Sequence, residues 1–231
     1  MFNLTEWIIS GAMLFAPAAT TAAQSKTVEP APTVLAQAAT APQEPPAVVS
    51  TLNVTESIAN ANKGLSKIET AQGRFTQIDQ AGRFSQGDFY LSRPGRMRFE
   101  YDDPVPLLIV SDGTTVAIED SDLETVDRVP LASTPLNMLL RSETDLAAHA
   151  NILDVSKKGG LVAIRMSDKS GDAEGELELF FDPATYELRQ WESIDMNGAV
   201  TTVQLIDTET GVRLSPSLFR VEDPEDEDDR R

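Results

Sequence analysis

Apolar and polar residues alternate with a period of two through most of the chain beyond residue 70. Phe75, Phe89, Leu91, Met97, Phe99 and Tyr101 fall on one parity, and Leu177, Leu179 and Phe181 repeat the pattern opposite Glu176 and Glu178. Alternation of this kind marks half-buried strands. It predicts eleven of them, over 70–78, 85–92, 96–101, 106–110, 115–120, 123–129, 152–156, 161–167, 176–181, 187–195 and 199–207. The breaks carry hairpin chemistry at Asp112-Gly113, Gly159-Gly160 and Asn197-Gly198. Two stretches follow a helical period instead. Val54, Ile58, Ala61, Leu65 and Ile68 recur at spacings of four and three behind Asn53 and Glu56, which have the capping-box separation. Gly64 inside that helix costs up to about 1 kcal/mol relative to Ala. A shorter helix is expected after Thr134 as N-cap and Pro135 at the first position, with Leu136, Leu139 and Leu140 apolar.

A long meander with one apolar face must curl on itself, pair with a second sheet or be covered by helices. Only short helices are on offer, so the expected fold is mainly β: a strongly curved antiparallel sheet closed on one side by two or three of them. Two interiors satisfy this pattern, a cavity open to an apolar ligand and a fully packed core.

The flanks differ in kind. Residues 1–23 hold an apolar run from Trp7 to Ala16 followed by small residues, the shape of a secretory signal, although Glu6 stands where a basic residue is usual. Residues 24–50 carry Pro30, Pro32, Pro42, Pro45 and Pro46 and are expected to be a disordered linker. Residues 222–231 are expected to be a solvated tail, with seven acids in the eight positions from Glu222 to Asp229. One folded domain is left, over 51–221. The formal charge of -18 disfavours nucleic acid and anionic membrane surfaces as partners. With no cysteine and a single histidine there is no thiolate chemistry and no two-histidine metal site. No cofactor is expected.

Catalytic motifs are missing: no G-x-S-x-G, no H-E-x-x-H and no phosphate-cradling glycine loop. His149 lies among alanines and is expected at the surface or a lid edge. Glu100 and Glu178 fall on polar faces of their strands, so solvation accounts for them. Asp168, Asp172 and Glu174 surround Gly171 without EF-hand spacing. The chain is not expected to be an enzyme.

One residue breaks the apolar face. Arg93 shares the parity of Phe89 and Leu91, and a lone cation there is costly without a partner. It either ends its strand and reaches solvent, or it bonds to something that covers the sheet. Around it the chain reads Phe75-Thr76-Gln77, then Gly87-Asp88-Phe89 through Arg93-Pro94 to Met97-Arg98-Phe99-Glu100-Tyr101, then Ile109-Val110-Ser111-Asp112-Gly113. This order resembles the periplasmic outer-membrane lipoprotein carriers of Gram-negative bacteria, the LolA-type family. The likeness continues into Thr134-Pro135-Leu136 and reaches about Phe219. It departs in the Pro-rich insertion, the acidic tail, and Tyr90 and Phe99, where Trp is frequent.

The resemblance implies an incomplete, half-open barrel with a helical lid. It implies a periplasmic, monomeric chaperone that takes acylated lipoproteins from an inner-membrane ABC transporter to an outer-membrane receptor or the outer membrane. Arg93 matches the arginine that bonds lid carbonyls in the closed state. Phe75, Phe89, Leu91, Met97, Phe99, Ile109, Leu177, Leu179 and Phe181 are the implied acyl-chain positions, and Ile58, Leu65, Leu136, Leu139 and Leu140 the lid. Met97 is expected at the cavity edge. Two rival readings share the half-barrel. A receptor needs a lipidated N-terminal cysteine, which the chain lacks, and a sensor of mislocalised lipoproteins needs a further domain, for which 51–221 leaves no room.

Overall fold

Strand pairing here follows chain order almost without exception. In the computed structural model, which describes residues 52–220, β1 (Thr70–Ile78), β2 (Phe84–Ser92), β3 (Arg96–Tyr101), β4 (Leu107–Asp112), β5 (Thr115–Asp120) and β6 (Thr125–Pro130) form one antiparallel meander. A second meander runs through β7 (Ala150–Lys158), β8 (Leu161–Asp168), β9 (Glu176–Phe181), β10 (Leu188–Ile194) and β11 (Val200–Thr210). The single crossover pairs β11 with β1, giving one sheet ordered β6-β5-β4-β3-β2-β1-β11-β10-β9-β8-β7. Among the described residues β6 and β7 stay unpaired on their outer sides, so the barrel is incomplete. Each open edge carries a device against stray pairing, Pro130 on β6 and a bulge between Ile152 and Asp154 on β7.

The strand boundaries agree with the alternation to within three residues at every end. Register places the apolar parity on one face: Phe89, Phe99, Ile109 and Ile118 form a row across β2–β5. Val203, Trp191, Leu179, Ile164 and Val155 form another across β11–β7. Both rows look into the same core. The rings meet edge to face, Phe75 against Phe99 at 4.9 Å and Phe99 against Trp191 at 5.8 Å between centroids.

α1 (Val54–Ser66) precedes β1, and the link between β6 and β7 holds a 3-10 turn (Leu131–Ser133), α2 (Leu136–Leu140) and α3 (Leu146–His149). The third helix was not legible as a period in the sequence; Asp145 caps it by accepting from the Ala148 amide. Thr134 does not cap α2. Its hydroxyl donates to the Leu131 carbonyl at 2.9 Å, closing the 3-10 turn instead. Asn53 caps α1 as expected, accepting from Glu56 N–H at 3.2 Å. After β11, Pro216–Phe219 crosses the outer face of β3 and β4, burying Phe219 beneath the Arg96 guanidinium. Among the described residues no helix is long and apolar enough to cross a membrane. The secretory signal, the Pro-rich linker and the acidic tail lie outside the described residues.

Candidate functional site

The concave face and its helices form one apolar interior. Phe75, Phe89, Met97, Phe99, Ile109, Leu177, Leu179 and Phe181 are buried in it, and Leu91 packs against it half-buried. From the helices, Leu65, Leu139 and Leu140 are buried and Ile58 and Leu136 partly so. The interior is filled: between Phe89, Leu91, Arg93, Phe99, Leu139 and Trp191 only about 30 Å³ is left. Of the two interiors that the alternation allowed, this conformation is the packed one. Met97, expected at a cavity edge, is 2% exposed and sits within the packed interior. Trp191, Val203, Leu205, Ile164 and Met166 also line it; Ile164 and Met166 share a parity within 161–167, and Val203 and Leu205 within 199–207.

Arg93 lies just past β2, where the apolar face meets the helices. Its Nη1 donates to the Leu65 carbonyl at 2.6 Å and its Nη2 to the Leu139 carbonyl at 2.8 Å. Both acceptors belong to the last turns of their helices, where the helix dipole favours a cation; the Leu65 carbonyl also accepts from Ile68 N–H at 3.0 Å. Burial alone pulls the guanidinium down to about 10, with no carboxylate raising it. Arg93 therefore stays charged at neutral pH while bonded to neutral groups. Its Nε is buried without a partner.

The turn adds a second donor that sequence reasoning missed, the Gly95 N–H, which reaches the Leu140 carbonyl at 2.9 Å. Gly95 has φ +74°, and a Cβ there would stand 2.6 Å from Gly113 Cα. No backbone donor could be read from side-chain pattern; the Pro94-Gly95 turn was the available signal.

The helices differ in how they are held. α1 is capped at its N-terminus and packs so tightly that a Cβ on Gly64 would lie 2.0 Å from the Tyr186 carbonyl oxygen. The helix-breaking glycine thus permits close docking on the β9–β10 turn, where Tyr186 Oη also reaches Ser57 Oγ at 3.4 Å. α3 is joined to α1, since Asn62 Oδ1 accepts from the Leu146 amide at 3.1 Å. α2 has five residues and no side-chain cap.

The remaining candidates resolve differently. Glu100 is exposed and paired with Arg98. Glu178 is not solvated as expected: it is 2% exposed, and Lys158 Nζ grips both its oxygens at 2.7 and 2.9 Å. Asp168 accepts from Ser170 Oγ and from the Asp172 and Ala173 amides, which closes its loop. No acidic or histidine cluster among the described residues could hold a metal ion. His149 ends α3, part-buried between Arg141 and Glu143.

The profile of the family described as outer membrane lipoprotein carrier protein LolA matches residues 66–222. A protein of Methylococcus capsulatus named outer-membrane lipoprotein carrier protein is 34% identical over 169 residues, covering 69% of this chain and 80% of its own. One of the same name from Alkalilimnicola ehrlichii is 32% identical, covering 70% and 77%. Among solved structures, the LolA superfamily protein NE2245 from Nitrosomonas europaea superposes with a TM-score of 0.46 at 8% identity, covering 74% of this chain and 99% of its own. By the extent of the match the chain belongs to the outer membrane lipoprotein carrier protein LolA family.

Proposed function

We propose that residues 51–221 form a periplasmic, monomeric carrier that binds the acyl chains of lipoproteins in the apolar interior and moves them from an inner-membrane ABC transporter to the outer membrane or a receptor there. The observation that carries this reading is the placement of Arg93. One cation without a counter-ion ties two separate helices over an interior built mainly from apolar side chains. A protein needing only a stable core has no use for such a cation, because apolar residues of similar volume serve at least as well.

The energetics suit a container that opens. Hydrogen bonds to a charged group contribute about 1.5–3 kcal/mol each, so the two Arg93 bonds hold the empty state shut. Burying acyl chain yields about 0.8 kcal/mol per CH₂, so roughly four to eight inserted CH₂ groups match the two bonds. With about 30 Å³ free, a chain enters only if α1 or α2 moves. The released guanidinium and carbonyls then hydrate. Phe75, Phe89, Leu91, Met97, Phe99, Ile109, Leu177, Leu179 and Phe181 supply the contacts, and α1 and α2 the lid.

The deciding experiment is release of a radiolabelled lipoprotein from spheroplasts bearing the transporter. The full chain should convert it into a soluble complex of one carrier and one lipoprotein. Retention of the label on the membrane at saturating protein removes the proposal.

A further inference from the structure

We infer that His149 is a positioning residue of the lid: through Arg141 it holds the C-terminal end of α2 on the Arg93–Gly95 turn, and a proton on its ring lets that end go. This rests on the carrier reading above.

α2 is too short to persist as an isolated helix and lacks a side-chain cap, so its position is set by what it touches. Its last two carbonyls, Leu139 and Leu140, take the bonds from Arg93 and Gly95. The next residue, Arg141, points its Nη1 at His149 Nδ1 at 3.1 Å, and His149 Nε2 faces Glu143 Oε2 at 3.1 Å. A guanidinium can only donate, so Nδ1 must be the acceptor. The ring hydrogen is then on Nε2 and donates to Glu143. The imidazole thereby closes the loop between α2 and α3 from both sides. Its own backbone is anchored elsewhere: the His149 carbonyl accepts from Lys169 N–H at 3.3 Å, and α3 is bonded to α1 through Asn62. His149 stands where the weakly held α2 meets the well-held remainder.

A second proton can go only to Nδ1, the atom that accepts from Arg141. That bond is lost and two cations face each other. Arg141 then loses its imidazole acceptor, and its Nε is already buried without a partner. Glu143 is the one carboxylate on the ring, and its side chain is 78% exposed, so screening limits its ability to compensate. The other charged groups around the ring are engaged. Asp145 accepts from Ala148 N–H and Asn62. Asp168, the last residue of β8, closes its own loop, and Lys169 Nζ is directed at the Ala148 carbonyl. Asp112, next to Gly113, is bonded to Thr114 and Thr115. A pocket of about 220 Å³ lined by Gly95, Gly113, Asn137, Arg141, Glu143 and His149 admits water to the site. Histidine is the side chain that ordinarily changes charge between about pH 5 and pH 8, and this chain has only one.

The test measures the rate at which a fluorescent long-chain fatty acid enters the full chain at about pH 8 and about pH 5, with thermal melts confirming that each protein is folded. The wild type should take up the probe roughly threefold to tenfold faster in acid, the loss expected from one hydrogen bond. His149→Ala should be fast at both pH values. His149→Gln should be slow at both, because its carbonyl accepts from Arg141 and its amide donates to Glu143 whatever the pH. Arg93→Leu supplies the reference for a lid without its main tie. A wild type flat in pH, or a His149→Gln protein as fast as His149→Ala, overturns the inference; should His149→Ala not fold, the wild-type and glutamine arms still decide it. If the probe enters Arg93→Leu while the His149 variants track the wild type, only this inference falls. If it enters none of the proteins at either pH, the carrier reading falls with it.

Discussion

Two regions of this molecule take a charge out of water, and they pair it differently. On the outer face of the wall, Glu178 is buried under Lys158, a full counter-ion that meets both carboxylate oxygens. At the lid, Arg93 is half-buried against the carbonyls of Leu65 and Leu139, which carry no net charge. Separating the first pair strands a carboxylate in a low-dielectric site, which is strongly penalised. Separating the second leaves a guanidinium and two carbonyls that water can satisfy. The wall is therefore braced by an interaction that resists breaking, and α1 and α2 are tied to the sheet by one whose loss water can make good. Both lie on one continuous sheet, so the difference is in the partner and not in the fold.

The comparison is tested most severely by a third charge where neither kind of partner exists. Met97 is buried in the interior, opposite Leu91 on β2 and Ser111 on β4. Met97→Glu should cost at least about 4 kcal/mol, seen as a large fall in the denaturant midpoint or as failure to fold. A Met97→Glu protein with wild-type stability would mean that the interior opens to water at that point, and the wall would not be the rigid member of the pair.

Removing the brace comes next. Lys158→Met should destabilise by about 2–3 kcal/mol, below the full value for a buried pair because the lysine is itself half exposed. Lys158→Met combined with Glu178→Leu should recover most of that loss, since the stranded carboxylate and not the lost attraction is the main cost. No recovery in the double variant would show that Lys158 contributes through its apolar stem.

Arg93→Leu should be milder in stability and larger in behaviour. With the carbonyls free to hydrate, the loss should be about 1–2 kcal/mol, while acyl probes enter faster and bound lipoprotein is retained rather than delivered. A stability loss as large as that of Lys158→Met would place Arg93 with the braces.

The two charges also show what the sequence could disclose. The parity of Phe89, Leu91 and Arg93 put a cation on the apolar face, and that contradiction was visible without coordinates. Glu178 gave no such signal. Alternation assigns it to the face opposite Leu177 and Leu179, which is correct, but parity does not say whether a face is wet. Lys158 comes from twenty residues away and lays its stem across the site. The same limit explains the interior. Period two shows which side chains point inward, while whether they meet depends on sheet curvature and on the depth to which Leu65, Leu139 and Leu140 descend. The lid was least legible where it was shortest. α3 has four residues, and Thr134 had a carbonyl acceptor three residues back that suited its hydroxyl better than a cap.

The smallest effect probes the brace by charge alone. Glu192 lies directly opposite Glu178 in the β9–β10 ladder. Its carboxyl is raised above the usual range by burial first and by the Glu178 charge second, with Lys158 and hydrogen bonds from Gln190 and Thr202 opposing. A carboxyl raised on folding binds its proton more tightly in the native state than in the unfolded one. The resulting destabilisation is absent at pH below the unfolded value, grows as pH rises towards the native value, and is complete above it. Glu192→Gln keeps an oxygen to accept from Gln190 and removes the like charge. The variant should therefore be more stable than wild type at neutral pH by less than about 1 kcal/mol, and the difference should shrink towards zero at about pH 4. Denaturant titrations of both proteins at the two pH values measure it. If Glu192→Gln is instead destabilising at neutral pH, then Lys158 is shared between the two carboxylates. The brace would then be a three-membered network whose strength depends on both acids, and the contrast with Arg93 would be one charge against neutral acceptors on the lid and one charge against two opposite charges on the wall.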